Sequence, residues 1–147
     1  MNYSVTKEEY LISTDKNKID IAYVHSFLTQ SYWCPGISVE IVKKAVEGSL
    51  CFGVYHGNKQ VGLARVISDK ATFAYLADVF IDENYRGKGL SKWLMETILK
   101  HPDLQGLRRI LLTTKDAHGL YSQFGFTLIN NPERYMIIQN PEVYKNK

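Results

Sequence analysis

The sequence predicts an α/β (α+β) protein with a mixed, mainly antiparallel central sheet of six to seven strands and helices on both faces. Segments with helical periodicity and segments rich in β-branched and aromatic residues alternate in the order β-α-α-β-β-β-α-β-α-β-β. Short turns join three consecutive β-rich segments into an antiparallel meander. The chain has 147 residues, 45% of them hydrophobic and 22% charged, so residues 1–147 are expected to form a single domain.

The first third of the chain is mainly helical. Residues 11–12 are apolar and precede a polar run, which predicts a first strand. Apolar residues recur with helical spacing over residues 19–30, and again from Ser38 through residue 47. Between these two predicted helices, Pro and Gly in residues 31–36 break the pattern, so a loop is expected there.

The middle of the chain is β-rich. Residues 50–55 and 60–68 are joined by residues 56–59, a His-Gly-Asn-Lys segment that favours a hairpin turn. Residues 72–81 form a third β-rich run. The three runs together predict the meander at the centre of the sheet.

In the last third of the chain, predicted helices and strands alternate. A helix is predicted over residues 90–100, a buried strand over residues 109–113 and a further helix over residues 117–124. Two final strands are predicted at residues 126–129 and 134–139, separated by an Asn-Asn-Pro turn.

Charge is distributed unevenly along this chain. The net charge is +3, too small for a general nucleic-acid-binding surface, and the paired strand aromatics of RNA-binding domains are missing. Residues 86–115 contain seven basic and two acidic side chains, a local charge of +5, which leaves −2 for the rest. This pattern indicates one anionic ligand at a fixed place, or else a solvated face.

Other classes are excluded by what the sequence lacks. No apolar run approaches the roughly 20 residues that span a bilayer, so no membrane partner is expected. Cys34 and Cys51 have no companion Cys or closely spaced His, which argues against a metal site or a disulfide framework. Residues 1–9 contain no apolar stretch typical of a secretory signal, so the expected location is cytoplasmic.

A glycine-rich loop follows the third β-rich run and opens the helix at residue 90. Gly87 and Gly89 let the backbone approach a ligand, and the helix start offers unpaired N–H donors and a partial positive charge. Arg86 and Lys88 add positive charge. The nucleotide-binding P-loop pattern is absent, and so is the third glycine of the dinucleotide fingerprint. The loop therefore predicts an anion site, with a plain glycine-rich turn as the alternative.

Two motifs here resemble those of the GNAT superfamily of N-acetyltransferases. Arg86-Gly87-Lys88-Gly89-Leu90-Ser91 resembles its R/Q-x-x-G-x-G/A acetyl-CoA signature, with Ser91 in place of the last Gly or Ala. Residues 117–126, Ala-His-Gly-Leu-Tyr-Ser-Gln-Phe-Gly-Phe, resemble its A-x-x-L-Y-x-x-x-G-F element. The predicted order of elements is also similar to that family's order from end to end.

The resemblance implies acetyl-CoA as co-substrate and no metal. In this family the strand before the loop splays from the next strand, pantetheine lies in the gap, and a backbone N–H polarises the thioester carbonyl. Thr114 stands where many members carry an Asn that contacts pantetheine. The expected acetyl-CoA-binding positions are Val79, Phe80, Ile81, Arg86, Gly87, Lys88, Gly89, Leu90, Ser91 and Thr114.

Catalytic roles follow from the same resemblance. Tyr121 corresponds to the family's general acid, which protonates the departing CoA thiolate; the alternative is that it only packs in the core. The amine must also lose a proton, and Asp78 is the best placed acceptor, with Glu83 and His118 as alternatives.

The acceptor substrate is expected to bind to the first half of the chain. Tyr32 and Trp33 lie in an aromatic-rich loop that resembles the family's acceptor-side loop, where they either stack on a substrate or seal a core edge. The predicted function is acetyl transfer from acetyl-CoA to a primary amine by direct attack in a ternary complex. The alternative is a non-catalytic acyl-CoA-binding or sensing module. The acceptor amine is of unknown identity, and the protein is expected to be a monomer or homodimer.

Overall fold

The structure is a computed structural model and describes residues 1–145. Its strands are β1 (Ser4–Lys7), β2 (Tyr10–Ser13), β3 (Leu50–His56), β4 (Lys59–Ser68), β5 (Phe73–Leu76), β6 (Phe80–Ile81) and β7 (Arg109–Leu112). Its α-helices are α1 (Ile21–Leu28), α2 (Val39–Glu47), α3 (Leu90–Lys100) and α4 (His118–Ser122). Short 3₁₀ turns lie at Lys16–Lys18, Glu83–Tyr85, Pro102–Leu104 and Pro132–Arg134.

All strands belong to one sheet with the order β1-β2-β3-β4-β5-β7, and β6 also pairs with β4. Every pairing is antiparallel except that of β5 with β7, which is parallel. The connection between the two parallel strands contains β6, α3 and two 3₁₀ turns, and a parallel pair needs a long crossover of this kind. The predicted fold class is therefore confirmed.

The sheet carries a hydrophobic core on each face. Alternation along β3 sends Cys51 to one face and Phe52 to the other. Helices α1 and α2 cover the first face, and α3 covers the second. Local capping fixes where the first two helices begin, because Asp20 accepts a hydrogen bond from Tyr23 N (3.0 Å) and Ser38 from Ile41 N (3.3 Å).

The N-terminal strand is half of a hairpin. The strand predicted at residues 11–12 lies within β2, and β1 pairs with it through Val5 opposite Ile12. Strand β1 was not predicted, because Ser4–Lys7 is short and its side chains are mostly exposed, which leaves no alternating apolar pattern in the sequence.

The third β-rich run is two strands, not one. Leu76 of β5 lies opposite Val66 of β4, and Phe80 of β6 lies opposite Leu63, so two residues of β4 face the three residues 77–79. This is a β-bulge, a feature that bends the strand and is common beside active sites. Gly62 allows β6 to lie this close, since a Cβ there would be 2.9 Å from the Phe80 carbonyl oxygen.

The two final strands were predicted wrongly. Residues 126–129 and 134–139 have no strand partner, and nearly every side chain from residue 127 to residue 143 is exposed. Their β-branched and aromatic residues favour an extended backbone, but a strand also needs a neighbour that accepts its hydrogen bonds. Within residues 1–145 no other strand provides one.

Candidate active site

A cavity of about 710 Å³ opens where the sheet divides. The parallel strands β5 and β7 stay paired up to Leu76 opposite Leu112. Beyond that point the bulge carries the chain to β6, which pairs with β4 and not with β7. Residues 77–79 and 113–114 consequently form two sides of the cavity.

The side chains of β6 are used for packing. Phe80 stacks on Phe27 with ring centroids 3.8 Å apart, and Ile81 belongs to the core on the opposite face. Val79, just before β6, lines the cavity. This segment can therefore offer a ligand only backbone groups and the Val79 side chain, so the side chains of Phe80 and Ile81 do not face the cavity as binding groups.

The glycine-rich loop lies directly before α3. Gly87 (φ 78°) and Gly89 (φ 80°) both have the left-handed backbone conformation that favours glycine, and a Cβ on either would meet open space. Gly89 is the N-cap of α3 and has no side chain to satisfy the first N–H groups of the helix. The loop thus exposes backbone donors at the positive end of an 11-residue helix, a geometry suited to a phosphate.

Three hydrogen bonds, made by the side chains of Arg86 and Asp82, hold the loop in place. Arg86 Nε donates to the Ile81 carbonyl oxygen (3.1 Å). Asp82 accepts hydrogen bonds from Asn84 N (3.0 Å) and from the Tyr23 hydroxyl (3.2 Å). These contacts connect the loop to the end of β6 and to α1. A second cavity of about 340 Å³ borders Lys88 and Gly89.

Tyr121 lies on α4 with 9% of its surface exposed and lines the large cavity. Its ring packs edge-on against Phe126, with centroids 5.8 Å apart. Burial, with a smaller contribution from Tyr32, raises the pKa of the Tyr121 hydroxyl above its ordinary value of 10.0. The hydroxyl therefore stays protonated at neutral pH. Thr114, also on the cavity wall, accepts a hydrogen bond from Ala117 N (3.0 Å) at the start of α4.

Asp78 sits at the centre of a hydrogen-bonded chain on the opposite wall. Its Oδ1 accepts from Trp33 Nε1 (2.7 Å) and its Oδ2 from Arg65 Nε (2.8 Å). Arg65 Nη1 also donates to Ser49 Oγ (2.9 Å). The Arg65 and Asp78 side chains are only 16% and 10% exposed, so this is a largely buried ion pair.

Arg65 is a site residue that the sequence analysis missed. It interrupts the otherwise apolar residues 61–66 of β4, and that isolated charge in a buried strand was the available signal. Of the three candidate proton acceptors, Asp78 lines the cavity, whereas Glu83 and His118 are exposed on other surfaces.

The predicted acceptor loop borders the same cavity. Tyr32 and Trp33 line it, are 58% and 42% exposed, and meet edge-on with centroids 5.1 Å apart. Lys115, which lies on the α4 side, places its Nζ 5.3 Å from the Tyr32 ring centroid. The two aromatic residues therefore contact both walls, Trp33 through Asp78 and Tyr32 through Lys115.

Two further residues near this loop were not predicted. Tyr144 lines the cavity, and its carbonyl oxygen lies 3.1 Å from where a Cβ on Gly36 would stand. Gln139 lines the cavity as well. Cys34 is buried beside the loop, and burial raises the pKa of its thiol, which agrees with a packing role.

The part of the chain that the structure describes has no helix with both the length and the apolar character to cross a membrane. Residues 1–145 also contain no group of three or more His, Cys, Asp or Glu side chains arranged to hold a metal ion.

Comparison with protein families gives one match, to the acetyltransferase (GNAT) family, over residues 16–126. A curated protein of Gibberella zeae that is assigned as an acetyltransferase is 29% identical, in an alignment that covers 80% of this chain and 78% of that protein.

Solved structures show the same similarity. A GNAT-family protein from Xanthomonas campestris pv. campestris is 47% identical with a TM-score of 0.91, covering 93% of this chain and 97% of its own. A GNAT-family acetyltransferase from Elizabethkingia anophelis, crystallised with acetyl-CoA, is 14% identical with a TM-score of 0.64 and 92% coverage of each chain. At that identity the second likeness concerns the fold alone.

Proposed function

We propose that this chain, which belongs to the acetyltransferase (GNAT) family, transfers the acetyl group of acetyl-CoA to a primary amine by direct attack in a ternary complex. The observation that carries the proposal is the position of Tyr121. A buried, protonated hydroxyl lines the cavity that opens between β6 and β7, on the side of the sheet division opposite Asp78. Family membership implies acyl transfer from acetyl-CoA; the amine and the residue roles are the proposal.

The glycine-rich loop would hold the pyrophosphate of acetyl-CoA. Gly87 and Gly89 leave open space where a side chain would otherwise stand, so a phosphate can approach the backbone N–H groups at the start of α3. Arg86 and Lys88 supply charge, and Ser91 in the first turn is small enough not to obstruct the approach. Leu90 contributes by anchoring the helix start in the core.

The segment before the loop would hold the pantetheine arm. Residues 77–79 and 113–114 face each other across the sheet division, and unpaired strand groups there need a hydrogen-bonding partner. A backbone N–H near Val79 or Phe80 would polarise the thioester carbonyl and stabilise the negative charge that develops on its oxygen. Thr114 borders the same gap and can offer its hydroxyl.

Proton movements complete the reaction. Tyr121 would give its proton to the departing thiolate, whose conjugate acid has a pKa of about 8.5. Asp78 would accept the proton of the amine, directly or through water. Its two oxygens already accept one hydrogen bond each from Trp33 and Arg65, but a carboxylate has about four lone-pair sites, so it can still take a proton.

The acceptor would enter on the side of Tyr32 and Trp33. Both rings are partly exposed at the cavity, where a protonated amine or the apolar part of a substrate can pack against them. A cation over the Trp33 face would gain about 0.5–2 kcal/mol, depending on how far it is desolvated.

The test is thiol release from acetyl-CoA in the presence of amines, polyamines, amino acids and peptides. We expect at least one amine to be acetylated, with turnover lowered about 10- to 1,000-fold in Tyr121→Phe and CoA binding retained. If acetyl-CoA binds but no amine is acetylated across the panel, the alternative of a non-catalytic acyl-CoA-binding module replaces the proposal. If acetyl-CoA does not bind at all, the assignment of the loop is wrong.

A further inference from the structure

The large cavity extends from the sheet division onto the face of the sheet that α1 and α2 cover. Its lining residues on α1, α2 and β4 are all apolar except Arg65. Ile41 and Ala45 lie one turn apart on the same face of α2 and are only partly buried. Their neighbours Val42 and Val46 are enclosed in the core. Helix α2 therefore presents an apolar wall to the cavity.

Two aromatic side chains that line the cavity have their polar ends occupied by the protein. Trp33 Nε1 donates to Asp78 (2.7 Å), and the Tyr75 hydroxyl lies 3.2 Å from Thr113 Oγ1. What Trp33 and Tyr75 offer an acceptor is therefore mainly ring surface. A site that selects a hydroxyl-rich substrate, such as an aminosugar, holds its hydroxyl groups with polar side chains aimed at them. These two side chains are better suited to an apolar substrate.

The charged residues that line the cavity balance one another. Two are basic and two are acidic, namely Arg65, Lys115, Asp78 and Asp116. Lys115 and Asp116 are adjacent and exposed, whereas Asp78 is largely buried against Arg65. A polyamine would bring two or more ammonium groups, and each buried charge needs a partner of its own. The cavity has no excess of carboxylates to supply those partners.

The guanidinium of Arg65 is already bound on two sides. Its Nε donates to Asp78 (2.8 Å) and its Nη1 donates to Ser49 Oγ (2.9 Å). The Ser49 hydroxyl in turn donates to the Ala45 carbonyl oxygen (2.6 Å) on α2. A carboxylate on the acceptor would have to compete with Asp78 for this cation. The cavity thus favours an acceptor without an acidic group.

We propose that the acceptor is a small primary monoamine with an apolar body, an alkylamine or arylalkylamine. Its amino group lies beside Asp78, and its body packs against Ile41 and Ala45. The inference rests on the proposed acetyl transfer to an amine and names the class of that amine. A cavity of about 710 Å³ is of the size that holds small molecules.

The chemical step is the same for every amine of this class. The amine nitrogen forms a bond to the acetyl carbon, and the C–S bond of the thioester breaks. The amine proton passes to Asp78, and the CoA thiolate takes the proton of Tyr121. A proton then returns from Asp78 to Tyr121 through solvent, which restores the enzyme and leaves an amide and free CoA.

The test compares matched amines at saturating acetyl-CoA. Hexylamine and hexamethylenediamine share one carbon chain and differ by a second amine, and phenethylamine and phenylalanine differ by a carboxylate. In each pair we expect kcat/KM per amino group to be higher for the monoamine by about tenfold or more, because the additional charge would lie against an apolar wall.

A substitution on the wall locates the body of the acceptor. Ile41→Gln should raise the KM of hexylamine by about tenfold and leave the KM values of ethylamine and acetyl-CoA nearly unchanged, because only the longer amine reaches the wall. A general folding defect would change all three values together. Val39→Gln is the matched control, since Val39 is an exposed apolar residue on the same helix that does not line the cavity.

Calorimetry of each amine in the presence of CoA separates this inference from acetyl transfer itself. If no amine is acetylated, acetyl transfer fails, and the order of binding within each pair still decides the inference. Equal or tighter binding of hexamethylenediamine or of phenylalanine overturns it, and so does an absence of binding by all four amines. A KM of hexylamine that Ile41→Gln leaves unchanged overturns it as well, because the apolar body then lies elsewhere.

Discussion

Replacing Asp78 with Asn tests how much the buried ion pair of Asp78 and Arg65 stabilises the fold. The Asn side chain keeps the size of Asp and can still accept from Trp33 Nε1. It loses the negative charge, however, and its amide nitrogen then faces Arg65 Nε, so that two donors oppose each other. The guanidinium of Arg65 is left without a counter-ion at 16% exposure.

The burial of Arg65 and Asp78 sets how much stability Asp78→Asn should lose. Breaking a buried pair by removing one partner costs about 3–5 kcal/mol, and the residual exposure of both side chains reduces this to roughly 2–4 kcal/mol. With about 2.1 cal/mol/K of unfolding entropy per residue, 147 residues give roughly 310 cal/mol/K, so 3 kcal/mol lowers Tm by about 10 °C. The change should be visible in any thermal melt.

The assay is a double-mutant cycle by thermal and urea unfolding. Arg65→Met alone should cost about as much as Asp78→Asn, whereas the double variant leaves no unpaired charge and should be more stable than either, with a coupling of about 2 kcal/mol. Asp116→Asn is the control, because Asp116 is an exposed carboxylate on the opposite wall of the same cavity and its loss should change stability by less than about 0.5 kcal/mol.

If the destabilisations caused by Asp78→Asn and Arg65→Met add within about 0.5 kcal/mol in the double variant, the two side chains are independent and the ion pair does not stabilise the fold. The same variants separate a structural from a chemical role of Asp78. If Asp78 takes the proton of the amine, the double variant regains stability while its kcat stays low. If kcat recovers with stability, Asp78 acts only by holding Trp33 and Arg65.

Four other perturbations have defined outcomes. Gly89→Glu should abolish most CoA binding in calorimetry, because it adds a side chain and a negative charge where a phosphate would approach. Gly106→Glu controls for backbone strain, since Gly106 is a similarly open glycine with φ 71°. Unchanged CoA binding in Gly89→Glu would disprove the assignment of the loop. Tyr121→Phe keeps the packing and deletes the proton donor, so kcat should fall about 10- to 1,000-fold with little change in CoA affinity; equal turnover would remove Tyr121 from the mechanism. Trp33→Ala should raise the acceptor KM by up to roughly thirtyfold and leave the acetyl-CoA KM nearly unchanged, whereas a parallel rise in both would indicate a folding role. Burial lowers the pKa of His101 below 6.5, so the folded state favours the neutral imidazole. The free energy of unfolding should therefore be highest above pH 6.5 and decrease as the pH falls from 6.5 through the lowered pKa of the folded state. In urea titrations, His101→Gln should reduce this loss of stability at acid pH.

Local features of the sequence were enough to predict all four α-helices to within two residues at each end. Helix α3 has the predicted bounds, and α1 and α2 begin next to Asp20 and Ser38, whose side chains cap the N–H groups of the first turn. Capping and helical periodicity involve residues within one or two turns of each other, so the sequence contains the whole signal. For the same reason the sequence alone could predict an anion site at the glycine-rich loop.

The strands were less predictable because each depends on a neighbour. Composition alone could not show that the run at residues 72–81 is interrupted by a bulge opposite β4, nor that residues 126–129 and 134–139 lack a partner within the described chain. A run of β-branched and aromatic residues favours an extended backbone. Whether a strand forms is decided by which other strand lies beside it.

Some residues of the candidate site could be predicted from the sequence, whereas others are brought together only by the tertiary structure. Gly89 and Tyr121 were predicted as site residues from the sequence, because each lies in a short motif that resembles those of the family. The connection from Arg65 through Asp78 to Trp33 joins side chains 13 and 45 residues apart along the chain. Only the tertiary structure brings them within hydrogen-bonding distance, since burial of the charges and the direction of each side chain are set by the packing of β4, the bulge and the loop against one another.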